Sequence, residues 1–454
     1  MQSKLTYKIS AIAVATAALM AAGSAMAVEN LYGGGATFPV PAYVGPAYSA
    51  TTPDARLSTN AGNNAGLGFQ TAILSANSIF ADYSADYAVQ DYNLSYCQTG
   101  SGTGKTTLIG ANANQACRDY STTPLGFSGA AVKADFIGTD SPISGADYTS
   151  YKAGPNFAAG KGITQIPTLA GAISLPYNDA VSAVAPRFNL TTEQVCKIYA
   201  GVIVDWNGIP ATGAPVGSPI TIVYRSDNSG TTFALTSWLA SRCNNQFGIA
   251  ANFFTPNQTF TAAMTGGVAI YAATIAASGN PGVVTAVGAA VGPTKAMGYA
   301  DYAEVDTQDN TNANLNFATV NNLSPATFGT AGPVALAASS LKRAQVLNGS
   351  TFVAITDPAI PVGVRNCLFT VDPAVVIAGR YPIAAITYLN GHNSGNGTKV
   401  DAIKKLYQHF YTAARLPTAN LPAGYAYVDG TAAGFGNVIR DALAPAGGEP
   451  GCVF

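Results

Sequence analysis

The stretch Ile220-Thr221-Ile222-Val223-Tyr224-Arg225 runs directly into Ser226-Asp227-Asn228-Ser229-Gly230-Thr231, and then into Thr232-Phe233-Ala234-Leu235-Thr236-Ser237-Trp238-Leu239-Ala240. Apart from the arginine, the first six residues are β-branched or aromatic and read as a buried strand. In the last nine, Leu235, Trp238 and Leu239 recur at helical spacing, so one face of a helix is buried. Strand, polar turn and helix in this order are the unit of an α/β protein. The strand delivers Arg225 to the carboxyl end of its sheet, where open α/β sheets bind ligands. Ser229, Gly230 and Thr231 then open a helix whose first N–H groups lack intrahelical acceptors and favour an anion. The hydroxyls of Ser229 and Thr231 add donors, Gly230 lets the backbone approach closely, and the planar Arg225 guanidinium can hold two oxygens at once. Read alone, the segment fits an ordinary N-cap beside a surface arginine equally well.

Further turns of the same kind shift that balance. Gly33-Gly34-Gly35-Ala36-Thr37-Phe38-Pro39-Val40-Pro41 is a glycine-rich turn into a helix with prolines in its first turn. It offers the Thr37 hydroxyl and the N–H groups of Thr37 and Phe38. Tyr96-Cys97-Gln98-Thr99-Gly100-Ser101-Gly102-Thr103-Gly104-Lys105 is another strand-to-helix turn and offers Ser101. A nucleotide P-loop needs Gly, four residues, then Gly-Lys-Ser/Thr. Counting back from Gly104-Lys105-Thr106 puts Thr99 where the first glycine belongs, which excludes a P-loop hydrolase.

Asp140, in Ala134-Asp135-Phe136-Ile137-Gly138-Thr139-Asp140-Ser141-Pro142, looks misplaced near an anion because like charges repel. It suits a ligand that carries a proton, since the carboxylate accepts that O–H. Inorganic phosphate keeps a proton near neutral pH and sulfate keeps none, so Asp140 would reject sulfate through a lone-pair clash. By itself it also reads as a loop residue capping the turn before Pro142.

Composition sets the frame. Of 454 residues, 10% are charged, against about 25% in ordinary soluble domains. The net charge of −1 provides no basic field for nucleic acid or anionic lipid. Gly (48) and Pro (26) are plentiful, yet hydrophobic residues reach 48%, enough for a sizeable core with long loops. Lys4 and Lys8, the apolar run Ile9 to Met20 and Ala25-Met26-Ala27 form an export signal over 1–27. The run is shorter than the roughly 18 apolar residues a membrane span needs. No cysteine follows the cut to carry a lipid. The six cysteines of an exported chain suit disulfides, and spacing pairs Cys97–Cys117, Cys196–Cys243 and Cys367–Cys452, with connectivity left open. Metal ligation lacks CxxC spacing, and His392 and His409 are the only histidines; His409 reads as a surface or packed helix residue.

A second helix starts at Thr191, with Gln194 completing a capping box and Val195, Ile198, Tyr199 and Val202 as its apolar stripe. Thr59 to Asn93 and Asp301 to Asn322 read as insertions or surface loops. Asp301, Glu304, Asp306 and Asp309 lack calcium-loop order and read as a solvated acidic face.

Gly35-Ala36-Thr37-Phe38-Pro39, Gly100-Ser101, Asp135 to Asp140 and Arg225 to Thr231, in this order, resemble the phosphate-specific binding proteins of ABC importers. Ile198 to Trp206 and Gly298-Tyr299-Ala300-Asp301-Tyr302 match more weakly. The resemblance spans most of the mature chain. It implies a two-lobed α/β periplasmic-binding-protein fold on a two-strand hinge, with anion ligands at Thr37, Phe38, Ser101, Asp140, Arg225, Ser229, Gly230 and Thr231. Asp227 matches the carboxylate that orients the arginine. By analogy the chain leaves the first lobe near Ala170–Leu175 and returns near Tyr381–Thr387. The expected division is therefore 28–172 with 382–454 as one lobe and 173–381 as the other. Three features depart from the family. Residues 39–100 are a longer stretch than it carries, three disulfides resemble the secreted DING-type relatives, and Gly45-Pro46 interrupts the first helix. They weaken the inference of an importer as partner.

The reading is a monomeric exported protein, periplasmic or secreted, that captures hydrogen phosphate (or its near isostere arsenate) without cofactor, metal or catalysis. A DING-type phosphoester hydrolase is the alternative, with Ser101 or Thr37 as nucleophile and no visible base. A non-binding structural surface protein is the third reading, suggested by low charge and abundant Gly and Ala.

Overall fold

The computed structural model describes residues 29–45, 57–58, 78–90, 92–96, 98–110, 134–158, 160–178, 187–290, 295–310, 312–411, 421–428, 436–445 and 451–454. The expected signal segment 1–27 and the Cys97–Cys117 pairing lie outside them. The first part of the chain runs β1 (Glu29–Gly35), α1 (Val40–Tyr43), β2 (Leu57–Ser58), α2 (Ile79–Asp86), β3 (Tyr92–Tyr96), α3 (Ser101–Ile109), β4 (Phe136–Thr139) and α4 (Gly145–Ala153). The long β5 (Ile163–Asn178) follows. The second part is β6 (Asn189–Leu190), α5 (Thr192–Tyr199), β7 (Ile220–Arg225), α6 (Gly230–Cys243), β8 (Ala273–Ala277), α7 (Gly279–Ala289), β9 (Lys295–Met297), β10 (Ala300–Asp301), α8 (Tyr302–Asp309) and β11 (Leu315–Val320). The chain ends with β12 (Leu341–Arg343), β13 (Gln345–Asn348), β14 (Thr351–Ala354), α9 (Val362–Arg365), β15 (Phe369–Val371), β16 (Ala384–His392), α10 (Val400–His409), β17 (Tyr425–Tyr427) and α11 (Gly436–Leu443).

β5 organises the molecule. All 16 of its residues are buried, as a strand covered on both faces requires. From Ile163 to Ala172 it pairs antiparallel with β16. From Ile173 onward its partners are β10, β11 and β9. On the first side β1 lies parallel to β3 and β4; on the second β7 lies parallel to β8 and β9. Two parallel arrays therefore hang from one strand that changes partners between Ala172 and Ile173, a two-lobed α/β architecture.

The local signals act as their chemistry demands. Thr191 and Gln194 form the capping box of α5, with Thr191 Oγ1 accepting from the Gln194 N–H at 3.2 Å and Gln194 Oε1 accepting from the Thr191 N–H at 2.8 Å. Ser229 caps α6 by accepting the Thr232 N–H at 3.1 Å. Val195, Ile198, Tyr199, Leu235, Trp238 and Leu239 are buried. Disulfide Cys196–Cys243 ties α5 to the end of α6. Val202 is a correction: α5 ends at Tyr199, the chain turns at Gly201 with φ +68°, and Val202 is 60% exposed.

The two stretches read as insertions or surface loops differ from that reading. Asp301 to Asn322 forms β10, α8 and β11, not a surface loop, because its apolar residues Tyr302, Val305, Leu315 and Phe317 reach the core. Within it Asp301 and Glu304 are 1% and 2% exposed, so no solvated acidic face is formed by these two. The described part of Thr59 to Asn93 contains α2, whose Phe80 and Tyr83 are buried. His409 is packed, edge-on to the Tyr83 ring at 5.6 Å. Val346, Ile355, Ile360, Val364 and Leu368 fall in 173–381, yet they cluster with Ile137, Ile143, Tyr151 and Ile163 of the first side. Disulfide Cys367–Cys452 fastens that excursion to the chain's last residues.

Candidate functional site

Arg225 ends β7, and its side chain is buried at the edge of the second array. Asp227 grips it with two bonds: Arg225 Nε donates to Oδ1 at 2.7 Å and Nη2 to Oδ2 at 2.5 Å. Nη1 donates to Asn280 Oδ1 at 2.5 Å. A guanidinium has five N–H donors in a fixed fork, so one N–H on each Nη remains for another acceptor. Burial opposes the charge, but the adjacent Asp227 outweighs it and holds the Arg225 pKa above its ordinary value. Burial likewise disfavours the Asp227 carboxylate, and Arg225 overcomes it, so that pKa lies below the usual range.

The other elements aim their ends at this group. The first turn of α6 presents Gly230 and Thr231, and that of α3 presents Ser101 beyond Gly100, whose φ of +91° suits glycine. Asp140 follows β4; its N–H donates to Ser101 Oγ at 3.0 Å. Thr37 and Phe38 follow β1, and the Phe38 carbonyl accepts from the Tyr425 hydroxyl. The two sides meet closely here. A β-carbon on Gly230 would stand 2.3 Å from Ser101 Oγ and 2.7 Å from Asp140 Cβ. One on Gly100 would stand 2.8 Å from Asp227 Oδ2, and one on Gly279 would stand 3.8 Å from Thr37 Cγ2. Gly102 N–H donates to the Asn228 carbonyl at 3.0 Å, and Gln258 Nε2 to Ser141 Oγ at 2.8 Å. These contacts bring Thr37, Ser101, Asp140, Arg225, Asp227 and Gly230 to the cleft where the two sides meet; Phe38 follows Thr37 in the chain, and Ser229 and Thr231 flank Gly230.

Within that cleft Thr37 Oγ1, Thr231 Oγ1 and Asp140 Oδ1 are buried with no hydrogen-bond partner. Leaving such groups unpaired costs about 1–3 kcal/mol each, a cost that a polar ligand placed here would relieve. Burial pushes the Asp140 carboxyl up to about 7, against the pull of Arg225 and the Thr387 and Ser101 hydroxyls. The described residues contain no cluster of side chains fit to hold a metal ion. Lys105 points away: its Nζ donates to the Pro142 carbonyl at 2.7 Å and to Asp147 Oδ2 at 2.9 Å.

Two findings lay beyond the sequence reading. The start of α7 supplies Gly279, whose N–H donates to Asp227 Oδ1 at 3.1 Å, and Asn280, which donates to Asp301 Oδ2 at 2.8 Å. A signal was present, because Ser278-Gly279-Asn280 precedes a helical stripe of Val283, Val284 and Val287. The second is a contact: Asp140 Oδ2 lies 3.4 Å from Ser101 Oγ.

Comparison with known proteins follows the same lines. The family model of the PBP superfamily domain matches residues 70–411. A protein named Phosphate-binding protein, from an unknown prokaryotic organism, is 30% identical over 49% of this chain and 54% of its own length. Alkaline phosphatase L of Pseudomonas aeruginosa PAO1 is 30% identical over 54% of this chain and 60% of its own. The chain thus spans little more than half the length of these curated relatives. Among solved structures, a DING protein aligns with a TM-score of 0.61 at 19% identity, covering 93% of this chain and 96% of that one. A high affinity periplasmic phosphate-binding protein, PfluDING, bound with phosphate, aligns with a TM-score of 0.59 at 21% identity over the same shares. These likenesses carry the fold.

Proposed function

Because this chain belongs to the PBP superfamily, we propose that it is a solute-binding protein that closes two lobes around one hydrogen phosphate ion. The single observation that carries this reading is the buried, pre-oriented Arg225, near enough to Asp140 for their charges to interact, with unpaired Asp140, Thr37 and Thr231 oxygens on the turns that meet there. The two remaining guanidinium N–H bonds match two oxygens of a tetrahedral anion. The N–H groups that open α3 and α6 add partial positive charge. Phe38, Ser101, Ser229 and Gly230 complete the ligand set we assign. Asp140 accepts the proton that phosphate keeps and sulfate lacks. Arsenate, with the same shape and protonation, is held in the same way.

The lobes we assign divide where β5 exchanges partners, with 28–172 and 382–454 on one side and 173–381 on the other. The packing of 341–371 against the first side argues for moving that excursion to the first lobe. The likeness to a periplasmic phosphate-binding protein supports export to the periplasm or beyond, and an ABC importer would be the partner that receives the ion. The Ser101–Asp140 approach and the Alkaline phosphatase L likeness favour one second reading, phosphoester hydrolysis with Ser101 as nucleophile. Calorimetric titration of ligand-stripped protein with phosphate, arsenate and sulfate decides the first reading. Saturable binding of the first two and rejection of sulfate is the expected result; no saturable phosphate binding refutes it and leaves a structural protein. Turnover of a chromogenic phosphoester by the same sample would instead establish the hydrolase.

A further inference from the structure

Gln258 lies between α6 and β8, in a loop that no sequence motif singled out. The loop is mounted on the start of α6. Asn257 N–H donates to Thr236 Oγ1 at 3.0 Å, and Thr259 Oγ1 donates to Asn228 Oδ1 at 2.8 Å. The Gln258 carbonyl accepts the Ser229 N–H at 3.0 Å. That bond spends the Ser229 N–H, so Ser229 offers an anion its hydroxyl alone.

The Gln258 side chain leaves this mount and crosses the cleft, where Nε2 donates to Ser141 Oγ at 2.8 Å. Ser141 follows Asp140 in a turn that the first side holds at successive residues. Ser101 Oγ accepts the Asp140 N–H at 3.0 Å, Lys105 Nζ donates to the Pro142 carbonyl at 2.7 Å, and Gln165 Oε1 accepts the Ile143 N–H at 2.8 Å. Each end of the Gln258–Ser141 bond is therefore fixed to its own wall. In the sheet β4 and β8 stand on opposite sides of β5. Among the described residues no strand pairing joins 140–144 to 244–272, so the sheet does not impose this contact.

Resting on the phosphate-capture reading, we propose that Gln258 is a positioning residue whose amide ties the Asp140 turn to the start of α6 and so retains the bound ion. Asp140, Ser141, Ser229 and Thr231 are each at most 3% exposed. An ion held among them reaches water only when the two turns part, and their parting breaks the Gln258–Ser141 bond. The bond joins wall to wall, so its loss acts on release and not on encounter.

Stopped-flow association and release of phosphate test this, starting with the unaltered protein. If that protein fails to bind phosphate, the phosphate-capture reading itself falls. If it binds, Gln258→Leu, which keeps the bulk and removes the amide, should speed release about 2–12-fold, the range of one neutral hydrogen bond, with the association rate unchanged. Ser141→Ala removes the same bond from the other wall and serves should Gln258→Leu fail to fold. The double variant should release phosphate no faster than the faster single variant, because both changes delete one interaction. Unchanged release, a loss confined to the association rate, or strictly additive effects would each overturn the proposal while leaving phosphate capture intact.

Discussion

At the scale of single residues, Arg225 and Asp140 have opposite problems. Arg225 is buried but held by three hydrogen bonds, whereas Asp140 is buried with one oxygen unmatched. Arg225→Ala should cost several kcal/mol of phosphate binding, well over a hundredfold by calorimetry, because it removes the only full positive charge we place on the ligand and strands Asp227. Arg225→Lys should restore little, since an ammonium cannot reproduce the fork. The Asp140 carboxyl is raised from 3.8 to about 7 by burial, so the folded protein holds its proton more tightly than the unfolded chain. Its contribution is fully present below pH 3.8 and is lost as pH rises to about 7. Asp301, raised to about 6 by burial, acts with the same sign. Thermal melts of ligand-stripped Asp140→Asn should therefore decline less between these pH values than those of the unaltered protein. Parallel curves would refute the assignment. Of this pair the arginine was legible in sequence because a strand ending in Arg before a polar turn has a local signature. The burial of Asp140 was not, because it depends on α3 and α6 arriving from elsewhere.

At the scale of elements, α5 and α6 show how far local chemistry reaches. Thr191, Gln194 and Ser229 mark their helix starts without help from the fold, since a cap bonds its own first turn. Thr191→Ala should cost about 1 kcal/mol, read as a small fall in melting temperature with phosphate affinity unchanged. Replacing both Cys196 and Cys243 should cost about 4 kcal/mol by the chain-entropy argument for a 47-residue separation. A melt that does not move would count against this disulfide as a brace between the two helices. The end of α5 was less legible than its start: Val202 continues the apolar spacing, but Gly201 at positive φ has already turned the chain. Helix α8 was missed because four acidic residues in nine outweighed its buried Tyr302 and Val305, whose role emerges only against β11 and β5.

At the scale of the whole molecule, Gly230 stands where the two sides touch. The Cβ of Gly230→Ala would press on Ser101 Oγ and Asp140, with no positive φ to strain the backbone. The variant should therefore bind phosphate at least about tenfold more weakly, the span of about 1.4 kcal/mol. Equal affinity would mean that the sides need not meet to hold the ion. Phosphate at a hundred times its dissociation constant should stabilise the unaltered protein by about 2.7 kcal/mol, and the Gly230→Ala protein by less at the same concentration.

By itself the sequence determined what neighbours along the chain can settle: the strand, turn and helix around Arg225, the capped starts of α5 and α6, and the glycine turns that present Thr37 and Ser101. Hydrogen bonds within one helical turn, and the apolar patterning that marks a strand or a helix face, are written in neighbouring residues. The tertiary structure alone decided the rest. It buried Asp301 against Asn280, turned Lys105 onto Asp147, and packed the 341–371 excursion against the first side of the sheet. It also split β5 between two sets of partners. Each of these depends on residues far apart in sequence competing for the same small volume, and that competition is resolved only when the chain is packed.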